Sequence, residues 1–567
     1  MSAQPWIKSF PKGVRPDVPL EISSLQGVLE RAAARFGDKP ALQFMDKPIS
    51  YTELDALANR AAAGFQKLGV KPGVHVGLYL PNTPHYVIAF FGVLKAGGTV
   101  VNYSPLDALH ALEFKVRNSE TDILVTVNLA STYPQAEKLL ETTRLKAVVI
   151  GEFAEFAIAP DAVRAHMTSA GMLSEVKHDA RRVAFHDLLD NDGRFEPHPV
   201  DDPADRVAVL AYTGGTTGSP KGAMLTHANL TAACSLYREV LFRSEENELR
   251  EGEERFLCIL PMFHIYSLVV VMLLGFSMGA ELVVHPRFDP AAAVRDIELK
   301  KVTVYMGVPT MHVAILSLPE VESVDFSSLR LCASGGAPLP VAVKERWDNV
   351  VGCPIFEGWG MTETSPIGTF TPRNAPFRPG SCGIPYPGTL MKLVDVVDST
   401  REVAPGERGE ICVKGPNIMK GYWKNPEATA NAMTADGFFR TGDVGYMDED
   451  GYVYIVDRTK DMLLCGGFNV YPRNIEEAIY QHPSVEEVSV IGIPDAYRGE
   501  SPKAFVKLKA NTPSLTLEEM KTFLKERLGK HEMIGAMEIR DALPKTPVGK
   551  ISKKDLREYE ARAKAEA

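Results

Sequence analysis

The segment YTGGTTGSPKG, residues 212–222, is the most strongly biased stretch in the chain. It follows an apolar run, VAVLAYT (207–213), that reads as a buried strand, and it precedes a segment with a helical pattern. Small residues let the backbone approach a ligand closely, and exposed N–H groups make an anion nest. Thr216, Thr217 and Lys221 add donors and positive charge. Such a loop suits a polyphosphate. It does not match GxxxxGK[ST], because Pro220 precedes the lysine and Gly222 follows it, and it lacks the GxGxxG spacing. A Walker-type NTPase is therefore disfavoured. The plainer alternative, a surface loop, fits poorly directly after a buried strand.

Outward from this loop the N-terminal half alternates helix and strand. TELDALANRAAAGFQKLG puts Leu54, Leu57, Ala61, Phe65 and Leu68 on one helical face, with Thr52 expected as N-cap and Gly69 as the stop. Short apolar runs follow at 74–80, 99–103, 123–127, 147–150, 256–260, 281–285, 302–307 and 329–334. Continuous apolar strands alternating with helices predict largely parallel sheets covered on both faces. Residues 381–456 are richer in glycine and proline, with short strands, and predict a smaller β-rich unit. Past DRTKD (457–461) a compact α+β pattern begins, including a helix from 515 expected to close at Gly529.

Composition narrows the class. The chain has 567 residues, enough for about three to five folding units. Its formal charge of −10 is a poor match to nucleic-acid binding, which wants a basic face. Seven cysteines, none spaced as CxxC, read as reduced thiols in a cytoplasmic protein. The opening MSAQPWIKSFPKGVRP has no apolar core of a secretory signal. The apolar stretch 257–284 is interrupted by Pro261, His264 and glycines, so it reads as strand, turn, buried helix and strand. No GxSxG elbow, HExxH or Cys–His arrangement supports hydrolase chemistry.

YTGGTTGSPKG resembles the phosphate-binding signature of the adenylate-forming superfamily, which includes acyl-CoA synthetases, luciferases and peptide-synthetase adenylation domains. Further motifs recur in the family's order. SGGAPLP (334–340) resembles the adenine-contacting segment, and GWGMTETSP (358–366) the GYGxTE motif, with Trp359 where tyrosine is usual. GERGEICVKGPNIMKGYW (406–423) and FRTGDVGY (439–446) also fit. DRTKDMLLCGGFNVYP (457–472) resembles the hinge signature, and LPKTPVGKISKKDLR (543–557) the C-terminal lysine motif. The closest likeness is to bacterial long-chain fatty-acid–CoA ligases, through PWIKSFPKGV, DFSSLRLCASGGAPLPVAVKERW and EGWGMTETSPIG, while PMFHIYSL (261–268) also looks like aryl-acid ligases.

The resemblance implies an α/β fold: a large N-terminal domain of two αβα layers plus a β-barrel-like unit, and a small mobile α+β C-terminal domain. It implies boundaries at 1–457 and 462–567, with a hinge at 458–461. The expected reaction is AMP-forming acid–CoA ligation of medium- to long-chain fatty acids through an acyl-adenylate, using ATP, Mg²⁺ and coenzyme A. Dicarboxylic acids, aryl acids or loading of a carrier protein are the alternatives. By resemblance Thr213 and Glu363 help hold Mg²⁺, and Lys221 with Gly214, Gly215, Thr216, Thr217 and Gly218 holds the β- and γ-phosphates. Thr362 would reach the α-phosphate, beside Gly360. Gly335, Gly336, Ala337 and Trp359 would sandwich adenine, and Asp443, with Arg458 alongside, would accept from the ribose hydroxyls. Lys550 would bridge the substrate carboxylate and the α-phosphate. Lys460 aligns with the hinge, and Gly467 with the pantetheine channel entered after the C-terminal domain rotates. His264 occupies the place of an aromatic that closes the acyl channel, and Leu268 that of a gating tryptophan. Peripheral membrane contact, a homodimer and a lysine acyltransferase acting on Lys550 are partners left open.

Overall fold

A run of residues that is apolar on every side can be a strand only if helices cover both faces of its sheet. The computed structural model, which describes residues 4–566 except 214–219, 246–247, 374, 460, 466–467, 496–497 and 547–548, satisfies that demand twice. One sheet of eight strands has the spatial order Gly421–Tyr422, Lys221–Thr226, Val207–Thr213, Thr99–Asn102, His75–Leu78, Thr121–Val127, Ala147–Gly151 and Arg182–Ala184. From Val207–Thr213 onward its neighbours run parallel. The strands His75–Leu78, Thr99–Asn102 and Thr121–Val127 are buried at every position. A second sheet, of nine strands, carries six parallel neighbours: Ile355–Trp359, Leu331–Ser334, Val304–Gly307, Arg255–Cys258, Glu281–Val284 and Pro40–Phe44.

The strands on either side of the glycine-rich residues pair antiparallel with each other. Val207–Thr213 pairs with Lys221–Thr226, with Thr213 opposite Lys221, and only then does the helix His227–Arg243 begin. The expected step from loop straight into helix is therefore corrected: a strand of six residues intervenes. Pro220 and Gly222 had masked its pattern, yet Ala223, Leu225 and Thr226 are buried along it.

Two helix boundaries also differ. The helix Tyr51–Lys67 is capped by Ser50, whose hydroxyl accepts from the Glu53 amide at 3.1 Å, and Thr52 lies inside the first turn. The buried Tyr51 hydroxyl donates to the Ala280 carbonyl at 2.6 Å, which anchors the helix start earlier than the apolar spacing suggested. The helix Leu517–Leu524 ends before Gly529, where its buried contacts, Met520 and Leu524, run out.

The stretch after residue 257 is strand, turn, helix and strand, as expected. The helical part is a π-helix over Ser267–Leu273 that passes into Leu274–Met278, with every residue from Ser267 to Phe276 buried. No helix among the described residues is long and apolar enough to cross a membrane. The seven cysteines are free, and six of them are buried.

The β-rich unit is a four-stranded antiparallel sheet ordered Leu390–Val394, Gly409–Lys414, Phe439–Met447 and Val453–Arg458. Beyond it, Val485–Asp495 and Gly499–Leu508 form the centre of a small sheet with helices Pro472–Tyr480 and Leu517–Leu524. This part has its own apolar core around Ile475, Val490, Val506 and Met520. Arg473 ties it back to the larger body: its amide donates to Asp457 Oδ2 at 3.0 Å and its guanidinium to the Ile455 carbonyl at 2.5 Å.

Candidate active site

The two parts enclose a cleft of about 2110 Å³. Strand ends of the second large sheet form one wall. Gly307 pairs with Ser334, and Ser334 with Glu357, so segments 308–310, 335–340 and 358–363 leave the sheet at the same edge. Ligands of open α/β sheets bind in such crevices beyond the strand ends.

On the floor, Asp443 and Arg458 face each other across the antiparallel pair Phe439–Met447 and Val453–Arg458. The Arg458 Nε lies 2.9 Å from Asp443 Oδ1, and the Trp359 indole N–H donates to Oδ2 at 2.8 Å. Both carboxylate oxygens are thereby oriented, and each keeps a lone pair for a further donor. Trp359 fits because Gly368 has no side chain: a Cβ there would stand 2.3 Å from the indole ring. Gly360 turns the next segment back so tightly that a Cβ would meet the Pro366 carbonyl at 1.7 Å. Thr362 and Glu363 follow in the short 3-10 turn Thr362–Thr364.

Glu363 is buried. Its Oε1 accepts from the Tyr422 hydroxyl at 2.9 Å, and burial pushes its carboxyl above the usual carboxylate range. The Lys221 ammonium stands 5.0 Å from the centre of the same tyrosine ring. Tyr422 thus links two residues expected in the phosphate and metal region, through its ring to one and its hydroxyl to the other. Thr213, at the end of its strand, places its hydroxyl 3.4 Å from the Lys221 carbonyl. Gly214, Gly215, Thr216, Thr217, Gly218, Lys460 and Gly467 lie outside the described residues.

Lys550 enters from the C-terminal part. Its stem runs against Gly336 (φ +80°), where a Cβ would stand 3.0 Å from the lysine Cε. Burial, with Arg458 nearby, pushes its pKa down to about 8, and Asp443 acts in the opposite sense. His264 faces it. Burial first, and then the Lys550 cation, push the imidazole down to about 3, so it is neutral at physiological pH. Its loop is pinned by Asn82, which accepts from the Met262 amide at 2.7 Å and donates to the Leu260 carbonyl at 2.9 Å.

The lining of the cleft also includes an aromatic and apolar set, Tyr237, Leu241, Tyr266, Val270 and Tyr386, which we call the recess. Leu268 is fully buried but does not line it; Tyr266 and Val270 do. The π-helical winding shifts which side chains face inward relative to a 3.6-residue count.

The structure brings together Thr213, Lys221, Gly335, Gly336, Ala337, Trp359, Gly360, Thr362, Glu363, Asp443, Arg458, Lys550 and His264 as lining of one cleft. Sequence reasoning missed Tyr422, although the quoted GYW contained it, and Asn82, which only its tertiary partners reveal. It also missed Glu357, a half-buried residue whose carboxyl accepts from the Leu339 amide at 3.2 Å and is pushed up to about 7 by desolvation.

A carboxylate–tryptophan–arginine cradle and a lysine delivered from a second domain into the same cleft define a nucleotide-activating enzyme of the adenylate-forming class. Residues 29–423 match the AMP-binding enzyme family and residues 474–550 its C-terminal domain, and the chain belongs to this family. A long-chain-fatty-acid–CoA ligase of Bacillus subtilis (strain 168) is 38% identical over 562 residues, covering 99% of this chain and 98% of that protein. Among solved structures, the anthranilate CoA ligase AuaEII in complex with anthranoyl-AMP matches with TM-score 0.84 at 28% identity, covering 97% of this chain and 99% of that one. MatB from Rhodopseudomonas palustris (29% identical, covering 94% of this chain and 98% of that one) matches with TM-score 0.81 in its ATP-bound structure and 0.72 in its apo structure.

Proposed function

We propose that this protein is an ATP-dependent, AMP-forming acid–CoA ligase acting on medium- to long-chain fatty acids. The observation that carries the reading is Lys550, desolvated against Gly336 beside the Asp443–Arg458 pair. An acid and the α-phosphate of ATP are both anions. Their approach needs a cation that is not itself a competing nucleophile, and an ammonium on a mobile stem supplies one. The acid carboxylate attacks the α-phosphorus, pyrophosphate leaves past Lys221, and an acyl-adenylate remains. Asp443, oriented by Trp359, accepts from the ribose. His264, neutral, lines the same cleft as the apolar recess, where each buried CH₂ of an acyl chain contributes about 0.8 kcal/mol. The CoA thiol then displaces AMP.

Glu363 fits a Mg²⁺ site: a buried oxygen donor whose carboxylate form a cation would favour, in a family that binds the ion largely through substrate phosphates. When bound, the ion neutralises phosphate charge. A chain division at 458–461, with rotation of residues 462–567 between the two steps, accords with the separate apolar core of that part. The full-length likeness to fatty-acid–CoA ligases supports the substrate class. The three tyrosines of the recess favour aryl or oxygen-bearing acids as a second reading.

The test is CoA-thioester formation with ATP and Mg²⁺ across straight-chain acids, ω-dicarboxylates and cinnamates. A peak among unbranched monocarboxylates is expected. A peak among aryl or dicarboxylic acids would replace the substrate class, and AMP release without thioester would point to another acceptor.

A further inference from the structure

The described residues on either side of Lys550 are bonded to one another. The Lys550 amide donates to Thr546 Oγ1 at 3.2 Å, the Gly549 amide to the Thr546 carbonyl at 2.9 Å, and the Thr546 amide to the Lys550 carbonyl at 2.6 Å. Lys545 and Ile551 pair in an antiparallel bridge. Gly549 holds φ at +80°, a conformation that favours glycine. The Gly549 carbonyl shares a planar peptide unit with the Lys550 nitrogen, so fixing that oxygen fixes the backbone from which the lysine springs.

That carbonyl is held by the large domain. Thr310 Oγ1 donates to the Gly549 oxygen at 3.1 Å, across 239 positions of sequence. Thr310 opens the helix Pro309–Leu316, yet that helix has no side-chain cap, so the hydroxyl is not spent on its own helix end. The contact is snug: a Cβ on Gly549 would stand 3.1 Å from the threonine oxygen. Val308 touches both halves of the seat, since Cβ atoms on Gly336 and Gly549 would each stand 3.6 Å from one of its methyls. Gly307 and Ser334 are paired neighbours, so Thr310 and Gly336 leave adjacent strand ends and receive Gly549 and the lysine stem together.

We infer that Thr310 is a positioning residue for the adenylation step, its hydroxyl latching the Gly549 carbonyl and thereby seating Lys550. The inference rests on the ligase reading above. It assigns Thr310 a role in one half-reaction only, because the latch is open once Lys550 has left the cleft. A residue that merely supported the fold would affect both halves alike.

The experiment compares Thr310→Val, Thr310→Ala and Thr310→Ser with the unaltered full-length protein in two assays. Acid-dependent exchange of pyrophosphate into ATP reports adenylation. Thioester formation from chemically prepared acyl-AMP and CoA reports the second step and that the variant is folded. Loss of one neutral hydrogen bond should slow exchange about 3- to 10-fold in the valine and alanine variants. Thioester formation should be unchanged, and serine should restore exchange. Equal loss in both assays, or no loss in either, would overturn the latch. Absence of acid-dependent exchange in the unaltered protein would overturn the ligase reading itself, a distinct result.

Discussion

Trp359 differs from the tyrosine usual at its motif position, and its indole N–H reaches Asp443. The ring can stack on a base, while the N–H orients the carboxylate proposed to meet the ribose, so the two roles can be separated. Trp359→Phe keeps an aromatic face and removes the donor. Loss of a hydrogen bond to a charged group should raise KM for ATP about tenfold. It should also shrink the preference for ATP over 2′-deoxy-ATP; a pure stacking role would weaken both nucleotides equally. Lys550 is separable through pH. Its pKa is lowered, so the cation is present below about pH 8 and lost above it. Adenylation kcat/KM for ATP, which reports the free enzyme, should fall as pH rises through 8. In kcat the same limb should move upward, because bound phosphates favour the ammonium. Thioester formation from supplied acyl-AMP should lack the limb altogether. Lys550→Ala should slow adenylation at least about 100-fold, the scale of losing one electrostatic group at a developing charge.

Motif residues were legible from their order along the chain, and the parallel strands from short apolar runs such as 123–127 and 207–213. What escaped was whatever depends on partners distant in sequence. Tyr422 matters through Glu363, and Asn82 through Leu260 and Met262. The strand after the glycine-rich residues was hidden because Pro220 and Gly222 carry no apolar signal, though Thr213 pairs with Lys221 in the antiparallel ladder. The π-helix Ser267–Leu273 is a similar case, since a 3.6-residue count over SLVVVML cannot say which side chains face the recess. The structure turns Val270 inward and Leu268 away. Val270→Phe should therefore shift the preferred acid to shorter chains, with about 0.8 kcal/mol lost for each methylene displaced, whereas Leu268→Phe should lower Tm without moving the chain-length peak. Rates across a homologous series of acids, with thermal melts of both variants, check this.

Under the proposed function, the arrangement as a whole would be that of the first half-reaction. Lys550 is in the cleft, Thr310 holds the Gly549 carbonyl, and Arg473 ties the helix Pro472–Tyr480 to Asp457 and the Ile455 carbonyl. The closer match to MatB with ATP than to apo MatB accords with this pose. If the small domain rotates between steps, the ties that span the two parts must open, while hydrogen bonds within each part persist. Amide exchange can see the difference. The Arg473 amide donates to a side chain of the large part, whereas the Val506 and Val488 amides belong to the small sheet itself. With ATP alone, Arg473 should exchange slowly. With a non-hydrolysable acyl-adenylate analogue and CoA, it should exchange faster, and the small sheet should keep its protection. Equal protection of Arg473 in both states would mean that the domain holds one pose through both steps, and that the thiol must reach the adenylate with Lys550 still in place. Loss of protection throughout residues 472–508 would instead mean local unfolding, because a rigid rotation cannot expose bonds internal to the moving body.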